Sequence, residues 1–388
     1  MSQSIPWFPV FVPVSASAAI KCFIFPLSHP STPPQQRVNK RFATTMAAPI
    51  GVHLVGSIPL PNTEQVLRQI PTALPNRLYS IPDGEPGVRQ NYIGWELSCF
   101  PPETWRPFLP GSTGLPADHP GFTQDSVAPS QYDGAALDSY KRFVELRDQG
   151  IIPPGVRFQV SLPSPLACIQ GHLRPEIHAQ LEPFYERRIL DSLNAIIAGI
   201  PAHDLAVQWD LPFEVIDLEY ERGRLPDDFP FKPHFAPVKQ GVLGRIQRLC
   251  AGIPGQVHVG FHLCYGDLEG KHLIEPEDLG LLVEFANDIV KAIRPRTVNW
   301  VHMPVPKDRD DVAYFEPLKG LAVDDNTRLV LGLVHFDDED GTKRRIKAAQ
   351  LATGKRFSVA TECGMGRVPK EHLDSILRIS KNVTEPIN

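Results

Sequence analysis

Short apolar segments that alternate with helix-patterned stretches are the feature that most limits what this chain can fold into. The segments are rich in Val, Ile and Phe and are bounded by Pro, Gly or polar turns, which is typical of strands. Eight of them occur, at 51–57, 77–82, 155–161, 204–210, 256–262, 297–302, 328–334 and 356–361. Apolar residues recur with a helical period between most of them, at 176–199, 237–250, 276–293, 341–352 and 369–381. Eight strands that alternate with helices predict an α/β fold, a single parallel (β/α)8 TIM barrel.

Two stretches depart from this alternation. Residues 83–154 are rich in Pro and Gly, carry one helical pattern near 134–149, and predict an elaborated loop after strand 2, over the barrel mouth. Residues 1–46 contain no acidic residue, which fits a disordered extension, an upstream start before Met46, or a mitochondrial presequence. The predicted organisation is therefore an extension at 1–46 and a barrel at 47–388. We expect a cytoplasmic protein, or a mitochondrial one if the extension is a presequence.

The composition excludes several classes of protein. The chain has 388 residues, 39 Lys and Arg against 44 Asp and Glu, and no long basic run, so nucleic acid is not an expected partner. It lacks a stretch of about 20 uninterrupted apolar residues, so no membrane-spanning helix is expected. Six cysteines in a chain of this length do not indicate a disulfide scaffold. The sequence also lacks the fingerprints of dinucleotide-binding, Walker-loop, zincin and α/β-hydrolase proteins.

Polar and thiol side chains gather at the predicted strand ends, where barrels of this type place their active sites. His262 and Cys264 are two residues apart, so they point to the same side of a strand, and both can reach one Zn²⁺ at about 2.0 and 2.3 Å. Cys363 and Gly364 close the last strand, which a closed barrel places beside the first. Each cysteine could instead be a buried, inert core side chain, next to a hydrogen-bonded histidine in the case of Cys264.

Two carboxylates stand at other strand ends. Asp210 ends the fourth predicted strand, and Glu85 lies in a turn made by Pro82, Gly84 and Pro86. An inward carboxylate at a barrel mouth could bind an ammonium group or act as an acid or base. Either carboxylate could instead cap a helix or form a salt bridge.

Five short motifs occur in the order found in a known family. They are Val55-Gly56-Ser57-Ile58-Pro59, Asp83-Gly84-Glu85, Gln208-Trp209-Asp210, His262-Leu263-Cys264-Tyr265-Gly266-Asp267 and Thr361-Glu362-Cys363-Gly364-Met365-Gly366-Arg367. Together they resemble the catalytic half of cobalamin-independent methionine synthase, in the superfamily of (β/α)8 barrels that also holds uroporphyrinogen decarboxylase. The resemblance covers about 50–388.

The resemblance implies a metal site. His262, Cys264 and Cys363 match the family's zinc ligands. The family takes a fourth ligand from a Glu on the strand after the His-x-Cys motif, but the corresponding strand here has none, and His302 stands in roughly that place. The implied ligand set is therefore His262, Cys264, His302 and Cys363, with Zn²⁺ as the cofactor.

The resemblance also implies a substrate site. Glu85 and Asp210 match the acids that hold the amino group of the thiol amino acid. Gly56 and Ser57 match the turn that holds its carboxylate. We expect Asp210 and Glu85 to act in catalysis as well, and Asp267 to be a proton source for the leaving group.

These motifs predict a zinc-dependent alkyl (methyl) transferase that acts on a small thiol. The family default is methyl transfer from 5-methyltetrahydrofolate to homocysteine, but no folate platform can be matched, so the partners are a thiol and an alkyl donor that is not identified. The carboxylates of 337–340 are a second candidate proton source. One alternative is a metal-dependent lyase, decarboxylase or C–S bond-forming enzyme of specialised metabolism on the same barrel. Another is a barrel that binds a small molecule or partner without catalysis.

Overall fold

A parallel sheet accompanied by helices forms the framework of the molecule. The computed structural model describes residues 47–266 and 271–387. Its sheet has seven strands that neighbour one another in chain order. They are β1 (Ser80–Pro82), β2 (Arg157–Pro163), β3 (Leu205–Asp210), β4 (His258–His262), β5 (Trp300–Pro304), β6 (Arg328–Gly332) and β7 (Ser358–Val359). Asp210 and His262, which end β3 and β4, and His302, in the middle of β5, are register partners and lie side by side.

A segment before β1 connects the two edges of the sheet. Val52 forms parallel bridges with Leu78, just before β1, and with Val359 in β7. The N–H of His53 donates to the carbonyl of Val359 at 2.9 Å. The structure therefore confirms a parallel α/β sheet with seven of the eight predicted strands. Because the bridges of Val52 are isolated, the predicted strand at 51–57 is not formed.

That prediction was wrong because side chains, rather than a neighbouring strand, bind the carbonyl groups of Leu54 and Val55. The Gln159 side-chain amide donates to the carbonyls of Leu54 and Val55 at 2.9 and 3.2 Å. The Gln208 amide donates to the Val55 carbonyl at 2.6 Å. The backbone pairing with β7 therefore ends at His53.

Helices follow most of the strands. In the described ranges they are α1 (Thr63–Ala73), α2 (Tyr92–Trp95), α3 (Tyr132–Asp148), α4 (Pro165–His172), α5 (His178–Gly199), α6 (Pro212–Glu221), α7 (Val238–Ala251), α8 (Gly280–Ala292), α9 (Val312–Phe315), α10 (Glu339–Thr353) and α11 (Leu373–Asn382). The six predicted helical patterns correspond to α3, α5, α7, α8, α10 and α11. The sequence did not predict α4 and α6, which start with Pro, a favoured first residue, but are too short to show a clear period. None of these helices is both long and apolar enough to cross a membrane.

The predicted loop at 83–154 has structure of its own. It contains short 3₁₀ turns and α2 before α3 returns the chain toward β2. On α3, the rings of Tyr140 and Phe143 pack against Phe158 of β2, with centroids 5.7 and 5.4 Å apart. The Ser139 hydroxyl donates to Asp83, directly after β1, at 2.7 Å. Helix α3 thus supports the polar end of the first strand.

Side chains on the two faces of β4 enter different clusters, as strand alternation requires. Val259 and Phe261 join the large apolar core to which the helices also contribute. On the other face, Gly260 leaves room for the Trp300 ring, which belongs to a small separate cluster. His262 continues the face of Gly260 and ends the strand at the site described next.

Candidate functional site

Three potential metal-binding side chains come together at the ends of β4 and β7. The ligand atoms of His262, Cys264 and Cys363 all lie within 4.8 Å of one another, and no other such group occurs in the described ranges. His262 Nε2 and Cys363 Sγ are 3.6 Å apart. His262 and Cys264 are buried, and Cys363 is half-buried. Cys363 is 101 positions from His262 in the sequence, yet the three side chains together could hold a single ion.

His302, predicted as a fourth ligand, lies beside this group and does not belong to it. Its Nδ1 is 2.7 Å from Nδ1 of His262, and its Nε2 is 3.1 Å from the Thr361 carbonyl. Burial lowers the pKa of His302 to about 3 and holds the pKa of His262 well below its usual range. Both rings are therefore neutral near pH 7.

The loop that carries Cys363 packs on the Gly56-Ser57 turn. The N–H of Gly366 donates to Ser57 Oγ at 3.0 Å, and the N–H of Met365 donates to the Ser57 carbonyl at 2.7 Å. A Cβ on Gly364 would lie 2.5 Å from Ser57 Oγ, so this close approach requires glycine. The structure thus brings the predicted substrate-binding turn against the predicted metal-binding loop.

Arg367 supports the same loop from its exposed side. Its guanidinium donates a long hydrogen bond to Cys363 Sγ at 3.8 Å. Arg367 ends the last of the five sequence motifs, in which no role was predicted for it.

Glu85 and Asp210 form the acidic side of the site. Glu85 has φ +50, a left-handed conformation that costs about 1–2 kcal/mol for a residue with a side chain. Asp83 stabilises this turn because its Oδ1 accepts the N–H of Glu85 at 2.9 Å. Arg89 and Ser139 hold the other oxygen of Asp83 at 2.6 and 2.7 Å. These hydrogen bonds stabilise the turn that carries the Glu85 carboxyl.

The electrostatic setting of Glu85 favours its protonated form. Burial raises the pKa of the Glu85 carboxyl well above its usual range, and the carboxylates of Asp83 and Asp210 raise it further. Asp210 is buried, and its Oδ1 accepts a hydrogen bond from the Gln208 amide at 2.8 Å. A ligand ammonium beside these carboxyls would favour ionised Glu85.

A buried network beneath the site was not predicted from the sequence. Gln208 Oε1 accepts from Trp300 Nε1 at 3.2 Å and lies 2.8 Å from His53 Nε2. Its amide nitrogen donates to Val55 and Asp210, so the orientation of the amide is determined by its partners. The position of Gln208 two residues before Asp210 was the only sequence signal for it.

A second unpredicted group flanks Cys363. The Glu362 carboxylate lies between two histidines, 3.8 Å from His272 Nε2 and 3.7 Å from His335 Nδ1. His335 Nε2 lies 3.1 Å from the Val305 carbonyl, and burial lowers its pKa to about 3. This group therefore borders the metal-binding loop at the residue before Cys363.

The remaining predicted residues have different outcomes. Asp267 lies outside the described residues. In the 337–340 segment, Asp338 caps helix α10 by accepting the N–H of Gly341, which is a structural role. The cysteines of the core, including Cys250, are buried and lie outside the metal-binding group.

Comparison with solved structures supports the fold. No protein-family model matches the chain, and no curated protein matches its sequence. A solved structure from Listeria monocytogenes, provisionally assigned as a vitamin-B12-independent methionine synthase, covers 87% of this chain and 99% of its own, with 14% identity and a TM-score of 0.51. A B12-independent methionine synthase from Shewanella sp. W3-18-1, in complex with selenomethionine, covers 66% of this chain and 67% of its own, with 12% identity and a TM-score of 0.40. At these identities the Listeria structure shows a shared fold, and the Shewanella match is too weak to add to that.

Proposed function

We propose that this protein is a zinc-dependent alkyl transferase that acts on a small thiol. The observation that carries the proposal is the convergence of His262, Cys264 and Cys363. We further propose that residues 47–388 form one closed (β/α)8 barrel, with 1–46 as an extension. The bridges from Val52 to both edges of the sheet support the closure.

The donor set suits zinc. Two thiolates and one neutral imidazole are soft or borderline ligands, which favour Zn²⁺ over Mg²⁺ or Ca²⁺. The two thiolates would balance the charge of the ion. Catalytic zinc sites keep three protein ligands and one exchangeable position. A zinc ion bound there would lower the pKa of an incoming thiol and hold it as the thiolate near neutral pH.

The acidic side of the site suits an amino acid thiol. Asp210 and Glu85 would accept hydrogen bonds from an ammonium group. A hydrogen bond between an ammonium and a carboxylate is stronger than one between two neutral groups. Ser57 Oγ accepts from Gly366, so its own hydrogen can be donated to a carboxylate. An amino acid bound by Asp210, Glu85 and Ser57 would lie next to the loop that carries Cys363. If its side chain is short, as in homocysteine, its thiol would then reach the candidate zinc ligands. The methionine synthase assignment of the Listeria structure agrees with this substrate class.

The identity of the alkyl donor is tested by product formation. Zinc-loaded protein is incubated with homocysteine and one alkyl donor at a time. The donors are 5-methyltetrahydrofolate, a sulfonium methyl donor and an epoxide, and the thioether product of each reaction is measured by mass spectrometry. We expect one donor to yield a thioether, and we expect Cys363→Ser to lose at least about a hundredfold in rate because a ligand is missing. The control is Cys250→Ser, on α7. A thiol that binds but is alkylated by none of these donors would favour the lyase or decarboxylase alternative.

A further inference from the structure

His302 connects the two elements that carry the candidate ligands. Its ring lies in the middle of β5, between His262 at the end of β4 and Thr361, two residues after β7. The side chain is fully buried. Both of its ring nitrogens lie at hydrogen-bond distance from a partner, at 2.7 Å from His262 Nδ1 and 3.1 Å from the Thr361 carbonyl.

These two contacts determine where the protons lie. A carbonyl oxygen can only accept, so Nε2 of His302 must carry a hydrogen and donate it to Thr361. A neutral ring has one N–H, so Nδ1 of His302 must accept. The proton between the two rings therefore belongs to Nδ1 of His262. As a result, Nε2 of His262 keeps its lone pair, and this atom is the one 3.6 Å from Cys363 Sγ.

We propose that His302 is a positioning residue, which sets the His262 tautomer so that Nε2 is the ligand atom, and that it is not a ligand itself. The sequence expectation of a four-residue ligand set required a lone pair on His302, but its only lone pair accepts from His262. Ligating histidines in proteins commonly use their second nitrogen to donate to such a partner. Here the partner is the His302 ring, whose own N–H donates to the Thr361 carbonyl.

The same contacts join the two ligand-bearing segments mechanically. Thr361 is two residues before Cys363, and its hydroxyl donates to the Cys363 carbonyl at 2.7 Å. A side chain that binds both His262 and Thr361 therefore fixes the spacing between the imidazole and the Cys363 thiol. Loss of His302 would release both constraints together.

Two measurements test the proposal without an activity assay. Long-range ¹H–¹⁵N NMR on metal-free full-length protein reports which nitrogen of His262 is protonated, and we expect Nδ1. X-ray absorption of the zinc-loaded protein counts imidazole ligands, and we expect one imidazole with two sulfurs. The proposal relies on the proposed function for the identity of the metal. A failure of thiol binding or alkyl transfer would not alter the NMR result.

Variants extend the test. We expect His302→Leu to lower zinc affinity about 10–100-fold with the imidazole count unchanged, because partners of ligating histidines typically contribute that much. His302→Gln should lose less, because its amide oxygen can still accept from His262, and it serves if the Leu variant does not fold. The control is His258→Leu, at the opposite end of β4, with wild-type affinity. Two imidazoles in wild type, a His262 protonated on Nε2, or wild-type zinc affinity in His302→Leu would each overturn the proposal.

Discussion

Replacing Cys264 or Cys363 by serine is expected to remove most of the zinc from the purified protein. Wild type should carry about one zinc per chain, and either variant should retain only a small fraction after gel filtration. A serine hydroxyl is not deprotonated near pH 7, so each change removes an anionic sulfur ligand from a group of three. Metal content is measured by plasma mass spectrometry on protein prepared without chelator.

The control for this prediction is Cys250→Ser. Cys250 is also buried, and burial raises the pKa of its thiol to about 12, but it lies on α7 outside the ligand group. It should keep the zinc content of wild type. Near-zero zinc in wild type, or equal zinc in all three variants, would show that Cys264 and Cys363 do not form a zinc site.

Removing the charge of Asp210 is expected to separate amino acid thiols from simple thiols. Hydrogen bonds to charged groups contribute about 1.5–3 kcal/mol, so Asp210→Asn should weaken homocysteine binding about 10–100-fold. Binding of 3-mercaptopropanol, which lacks an ammonium, should stay within about twofold of wild type. Calorimetry with zinc-loaded protein measures both affinities. An equal loss for both thiols would indicate that Asp210 supports the fold of the site and does not select an ammonium.

Because of Glu85, the preference for homocysteine over 3-mercaptopropanol is expected to weaken as the pH is lowered. Its pKa is raised in the free protein, mainly by burial, so the carboxyl is protonated up to a higher pH than usual. A bound ammonium favours the carboxylate, so homocysteine binding displaces a proton from Glu85. The ratio of homocysteine to 3-mercaptopropanol affinity should therefore fall as the pH is lowered below the raised pKa. Glu85→Gln should abolish this slope, and a slope that persists in Glu85→Gln would assign it to another group.

The sequence predicted seven of the strands correctly and one, at 51–57, wrongly. Buried parallel strands are short apolar runs between turn residues, and this pattern located β1 to β7. Residues 51–57 show the same pattern, but the amides of Gln159 and Gln208 take the carbonyls that a ladder would need. Such a competition between side chains and strands depends on residues more than a hundred positions away, so no local pattern reveals it.

The candidate site was predictable where two residues share a strand or a turn. His262 and Cys264 are two positions apart, so alternation alone places both on one side. By contrast, the placement of His302 between His262 and Thr361 depends on ring orientation, which the sequence does not encode locally. The support of Asp83 by Ser139 was equally hidden, because α3 reaches it only after a 56-residue excursion.

The proposed reaction requires that this site bind a thiol as the thiolate. The most direct test is calorimetric titration of zinc-loaded protein with 3-mercaptopropanol near pH 7, in buffers that differ in ionisation enthalpy. A free thiol has a pKa of about 8.5, so binding as thiolate should release close to one proton per site. Metal-free protein and Cys363→Ser should show neither binding nor proton release. Binding without proton release, or the same binding in metal-free protein, would show that zinc does not bind the thiol as the thiolate.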